Sequence, residues 1–192
     1  MSTRTKKLFF STAFAAGALV ASAPEALAVD WIIKNPGSHP GKSVELEPHA
    51  NLILFRFRDY GGRYRGRNFG HAEGGGGFRA SIELGDPLFI PKINNSIAIS
   101  FGLDLTNCRY CWRDDFLIWS PVALQWNFYL TRRWSVFAEA GGIIRSEGFF
   151  RDIWIDPAFW VGGRFHFNDK IALTMRAGSP WFSVGVSFYV GS

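Results

Sequence analysis

Past its leader the chain has no apolar run approaching the ~18 residues that mark a membrane-spanning helix, so strands closed into a barrel are the one spanning structure open to it. Lysine is scarce too. After the leader it occurs as Lys34, Lys42, Lys92 and Lys170, in turns, at a strand end or near the new N-terminus, whereas a water-facing exterior carries many Lys and Glu. No stripe of Lys and Arg interleaved with stacking aromatics is present, which removes nucleic acid from the partners. Charged residues make up 19%, against an ordinary ~25%. What is abundant is aromatic: Phe 19, Trp 8 and Tyr 5 bring the aromatic share to 17%, and these rings need an apolar place to go.

The 192 residues suit one domain once a leader is removed. Arg4, Lys6 and Lys7 precede an apolar run from Leu8 to Val20 and the small-residue site Ala26-Leu27-Ala28, the pattern of a secretory signal cleaved after Ala28. No Cys follows that site, so a lipoprotein anchor is not indicated. The leader holds three of the cations and Glu25, so its removal takes the formal charge from +5 to about +3. The expected organisation is a signal peptide over 1–28, a periplasmic segment over 29–43 and a barrel over 44–192.

From Val44 the sequence alternates with a period of two, which requires strands. Eight segments are expected: Val44 to Phe55, Phe78 to Phe89, Ser96 to Thr106, Phe116 to Leu130, Trp134 to Arg145, Trp154 to Phe167, Lys170 to Gly178 and Trp181 to Val190. Short connections (Pro91 to Asn95, Thr131 to Arg133, Asn168-Asp169) alternate with long ones (Arg56 to Gly77, Asn107 to Asp115, Ser146 to Ile153), with the tight Ser179-Pro180 turn as the exception. This is the asymmetry of periplasmic turns and outward loops. The run Gly74-Gly75-Gly76-Gly77 reads as a flexible loop end. It lacks the Lys-Ser/Thr that would make it a phosphate cradle.

Ile97, Ile99, Phe101, Leu103 and Leu105 oppose Ser96, Ala98, Ser100, Gly102 and Asp104, and later segments repeat the division. One face is apolar and the other small or charged. The expected fold is therefore all-β: an antiparallel, up-and-down, eight-stranded transmembrane barrel with its polar face inward. The competing assignment, a soluble periplasmic lipid- or ligand-binding barrel, preserves the same alternation with inside and outside exchanged. In the membrane reading Glu45, Glu47, His49, Asn51, Arg79, Glu83, Asp104, Gln125, Asn127, Glu139, Arg164, His166 and Arg176 point inward. Buried charges persist when paired, so Glu47, Glu83, Asp104 and Glu139 are expected to meet Arg79, Arg164 and Arg176 in a network that plugs the lumen. Trp126, Phe128, Tyr129, Trp134, Phe165 and Phe167 are expected to form an interfacial aromatic girdle.

The eight alternating segments, the turn Leu130-Thr131-Arg132-Arg133-Trp134 and the closing Val184-Gly185-Val186-Ser187-Phe188-Tyr189-Val190 resemble small outer-membrane barrel proteins of the OmpA and OmpX kind. The resemblance spans nearly all of the chain after the leader and is one of architecture. It implies an outer-membrane location, passage through the barrel assembly machinery and a passive or interaction role, with no single activity. Such barrels usually finish on an aromatic residue, whereas this chain continues to Gly191-Ser192.

Cys108-Arg109-Tyr110-Cys111 lies in the second outward loop, where an oxidising compartment favours a local disulfide. His71 with Glu73, and Ser146 with Glu147, are the residue types an acyl-transferring set would need. A lipid-modifying acyl hydrolase is therefore the enzymatic alternative, although the His-x-Ser pattern of lipid A deacylases is absent and the expectation is that the chain is no enzyme. No metal or cofactor is expected. The outward loops combine Arg63, Arg65, Arg67, Arg109 and Arg113 with Tyr64, Tyr110 and Trp112, the residue types that dominate recognition surfaces and meet lipopolysaccharide phosphates. Outer-membrane lipid and an extracellular ligand or protein are the expected partners.

Overall fold

Alternating β-branched and aromatic residues form strands because such side chains stand well apart on a pleated backbone, and here the alternation persists through eight of them. A computed structural model describes residues 30–39, 41, 43–53, 73–87, 90–107, 116–147, 149 and 151–191. Its strands are β1 (Val44–Ile53), β2 (Glu73–Gly85), β3 (Asn95–Asn107), β4 (Phe116–Tyr129), β5 (Trp134–Glu147), β6 (Arg151–His166), β7 (Ile171–Ser179) and β8 (Phe182–Val190). Each strand pairs antiparallel with the next and β8 returns to β1, so the sheet is a closed barrel. Closure leaves no exposed sheet edge between its first and last strands.

The strands differ from the sequence expectation in two places. The glycine run lies inside β2, with Gly74 to Gly77 opposite Leu52 to His49 of β1. The reason is crowding within the barrel: a Cβ on Gly75 would overlap the Leu105 carbonyl oxygen, and one on Gly77 would overlap Asp104 Oδ1. Strand glycines of this kind mark a close approach of neighbouring groups. The third outward loop, expected over Ser146 to Ile153, is a tight connection instead. Ser146 pairs with Ile153 and Glu147 with Arg151, so β5 and β6 run on as the longest hairpin of the barrel.

Pro121 is tolerated within β4 because its neighbour compensates. Pairing of β3 with β4 runs to Phe101↔Val122 and resumes at Asp104↔Trp119; across this gap, where proline has no N–H to offer, Ser120 Oγ donates to the Gly102 carbonyl at 3.1 Å. At the short-turn end the segment 30–39 crosses the mouth. Ile32 N–H donates to the Leu130 carbonyl at 3.0 Å and Asn94 N–H to the Ile33 carbonyl at 2.8 Å, tying the segment to two turns at once.

Inside and outside are reversed relative to a water-soluble protein. Phe78, Ile99, Phe101, Leu103, Leu105, Val122, Leu124, Phe159, Val161 and Phe188 are exposed on the outer face. Arg79, Asp104, Gln125 and Arg176 are at most 1% exposed in the lumen.

Candidate functional site

The lumen is where the chain concentrates its chemistry, and each strand contributes through its inward parity. Glu45, Glu47, His49 and Asn51 descend from β1, and all four are buried. Arg79 (β2), Gln125 (β4), Glu139 (β5) and Arg176 (β7) meet them in the middle of the barrel. Glu139 is the hub. One of its oxygens accepts from Arg79 Nη1 at 2.8 Å and from Arg176 Nε at 3.0 Å, while the other accepts from Gln125 Nε2 at 2.8 Å. Arg176 also grips Glu47 with two parallel bonds of 2.8 and 2.9 Å. Toward the short-turn end Arg164 grips Glu45 in the same forked manner, at 2.9 and 2.7 Å, and donates to Asn127 Oδ1 at 2.9 Å. Forked guanidinium–carboxylate pairs fix orientation as well as charge.

A ring sits among these cations. Phe137 of β5 is 2% exposed, with the Arg164 guanidinium carbon 4.1 Å and that of Arg176 5.1 Å from its centroid. Desolvated cation–π contacts of this type are worth up to ~2 kcal/mol. Gly162 on β6 makes the space, since a Cβ there would overlap the Phe137 ring.

Asp104 is held by β1, and Glu83 lies beside the segment that crosses the mouth. Asp104 accepts from His49 Nε2 and from Asn51 Nδ2 at 2.7 Å, because β1 rather than β2 carries donors at its level. Glu83 lies at the short-turn rim, 3.9 Å from His39 Nδ1. Toward the long-loop end the lumen is apolar: Trp119, Trp160 and Trp181 pack with Ile53, Leu117, Ile143 and Ala158. Trp181 lies edge-on to Trp119 at 5.4 Å and 5.6 Å from Trp160, and the Arg79 guanidinium stacks 4.4 Å from the Trp160 centroid. These tryptophans were not singled out from sequence, although Trp119 shares its strand parity with Gln125, and Trp160 with Arg164.

The girdle expectation needs one correction. Trp126 and Phe128, Trp134 and Phe165, and Phe165 and Phe167 do pack as neighbours, at 4.9, 4.9 and 5.3 Å. Tyr129 points inward, 8% exposed, where its hydroxyl meets Ser96 Oγ at 3.1 Å. Its odd position on β4 puts it on the lumen face with Gln125 and Asn127.

Toward the short-turn end a cavity of about 20 Å³ is lined by Glu45, Glu83, Gln125, Arg164 and Tyr189 among others. That volume suits about one ordered water, far below the ~300 Å³ and upward of a small-molecule site. Arg63, Tyr64, Arg65, Arg67, Arg109, Tyr110, Trp112 and Arg113 lie outside the described residues, as do Cys108, Cys111 and His71. Ser146 is buried near the end of β5.

No protein-family model and no curated protein matches the chain. Solved structures do. The solution structure of the de novo designed barrel TMB2.3 aligns with a TM-score of 0.47 and 13% identity, over 81% of this chain and 99% of that one. A second de novo designed transmembrane β-barrel gives 0.45 and 11%, over 82% and 99%. The Yersinia pestis outer membrane protein Ail, determined in a phospholipid bilayer nanodisc, gives 0.45 and 10%, over 78% and 100%.

Proposed function

We propose that the chain is a bacterial outer-membrane barrel, exported after signal cleavage near Ala28, whose lumen is closed and whose role is structural or surface-interacting through its Arg- and aromatic-rich outward loops. The observation that carries this reading is the reversal of polarity. Soluble monomers rarely expose contiguous apolar patches beyond a few hundred Å², yet here apolar side chains cover the outward faces of the strands while forked Arg–Glu pairs fill the inside. Lipid is the solvent that makes this arrangement favourable, and a closed barrel presents no open sheet edge to it. The strands, nine to sixteen residues long, exceed or match the ~9–11 that a tilted span needs.

The recognition part of the proposal rests on topology. β1 and β2 are joined over 54–72, and β3 and β4 over 108–115. Both connections leave the same end of the barrel from neighbouring strand pairs, and in the sequence they carry Arg63, Arg65, Arg67, Arg109 and Arg113. Guanidinium groups pair with phosphates through forked, charge-assisted hydrogen bonds, which makes lipopolysaccharide the partner that suits such loops. The experiment is urea unfolding of the barrel folded in vesicles with and without lipopolysaccharide, at low and at raised salt. Replacing the five arginines with serine is expected to lower the lipopolysaccharide-dependent stabilisation of the barrel several-fold and to flatten its salt dependence. Equal stabilisation of the variant and the natural chain would remove lipopolysaccharide as the loops' partner.

A further inference from the structure

The short-turn mouth holds a further group of side chains, beyond the forked Arg–Glu pairs of the lumen. His39, from the segment that crosses the mouth, stacks flat on the inward ring of Tyr129 with centroids 4.5 Å apart and planes 10° from parallel. Its Nε2 lies 2.9 Å from Asp86 Oδ1, and its Nδ1 lies 3.9 Å from Glu83 Oε1. The histidine side chain is 7% exposed and Glu83 14%, while Asp86 is half exposed at 51%. One imidazole nitrogen and one oxygen of each carboxylate lie within 4.8 Å of one another.

The backbone is shaped to bring the two carboxylates together. Residues three apart on an unbroken strand face opposite sides, so Glu83 and Asp86 would diverge. β2 instead slips register between Glu83 and Gly85, and Gly85 adopts a φ of 124°, a conformation that glycine supplies and other residues resist. Bulges of this sort re-aim side chains, and this one returns Asp86 to the side of Glu83 and His39.

We propose that His39, Glu83 and Asp86 form a binding site for a divalent cation of the zinc class that fastens the N-terminal segment to the mouth of the barrel. One imidazole and two carboxylates, with water completing the sphere, is a donor set that zinc accepts with three protein ligands. An imidazole selects against calcium and magnesium, which take oxygen donors almost exclusively. Ligands at ~2.0–2.1 Å around a tetrahedral zinc stand about 3.3 Å apart. With the donor atoms within 4.8 Å of one another, the group closes to that spacing by movements of up to ~1.5 Å, shared between the two carboxylates. The stack on Tyr129 fixes the ring plane, the service that outer-shell contacts give to metal-binding histidines. Bound metal joins residue 39 to residues 83 and 86, so the segment over the mouth is held from both its ends.

The test is calorimetric titration of zinc(II) into the tag-free mature protein folded in lipid vesicles, beside His39→Ala, Glu83→Gln and Asp86→Asn. A single saturable equivalent is expected in the natural chain, with at least a tenfold loss of affinity in each variant. All three should keep the folded barrel's gel migration, because the lumen pairs are untouched. Limited proteolysis supplies a second readout: zinc slows cleavage within residues 30–43 of the natural chain and leaves cleavage of Asp86→Asn unchanged. Absence of a saturable equivalent overturns the proposal. So does binding that survives His39→Ala and Asp86→Asn, or that disappears on alkylating the cysteines alone.

Discussion

Glu139 ties the interior together, because side chains from three strands, Arg79, Gln125 and Arg176, donate to its two oxygens. Taking charges out of water costs several kcal/mol per ion, and removal of one partner leaves the others buried and uncompensated. Glu139→Ala is therefore expected to destabilise the barrel by about 3–5 kcal/mol, read from urea unfolding in lipid vesicles. Arg132 offers the contrast. It pairs with Asp30 at 3.7 Å, with both side chains largely exposed, and such pairs contribute little. Arg132→Ala should leave the unfolding midpoint unchanged. A similar loss in both variants would contradict the view that burial, and not the number of ion pairs, sets the energetics.

Among the elements, β2 is the one whose character was hardest to read from sequence. Four consecutive glycines signal a loop in most contexts, since glycine costs backbone entropy and offers no side chain to pack. In β2 Gly75 and Gly77 serve a different physical need, making room for Asn51 and Asp104 on the neighbouring strands β1 and β3, and nothing in a single sequence distinguishes the two uses. Gly77→Val is expected to prevent folding or cost several kcal/mol, whereas Gly74→Ala, whose Cβ would meet only the Asn51 carbonyl oxygen at 3.9 Å, should fold normally. Recovery of heat-modifiable protein from each variant decides the matter, and normal recovery of Gly77→Val would place the run back in a loop. The strand count and the inward set of charges were legible because period-two alternation survives wherever one face is buried. The three lumen tryptophans were not, because bulk and hydropathy assign them to lipid while only their parity assigns them inside. Glu83 and Asp104 were placed on the correct face, but their partners depend on the barrel's stagger, which alternation does not encode.

For the whole molecule, the apolar Trp119–Trp160–Trp181 layer and the Arg–Glu layer fill the lumen in series. An eight-stranded barrel is just wide enough for its own side chains, and this one uses that width for packing. The central claim is that the chain is a closed barrel held in a membrane with its charges inside, and gel migration of unboiled against boiled protein from purified outer membrane tests it most directly. A closed membrane barrel resists detergent unfolding, so the account predicts a faster-migrating band before boiling and a single slower band after it, both recovered with the outer membrane. A single band that boiling does not shift, found in the soluble periplasmic fraction, would contradict the account.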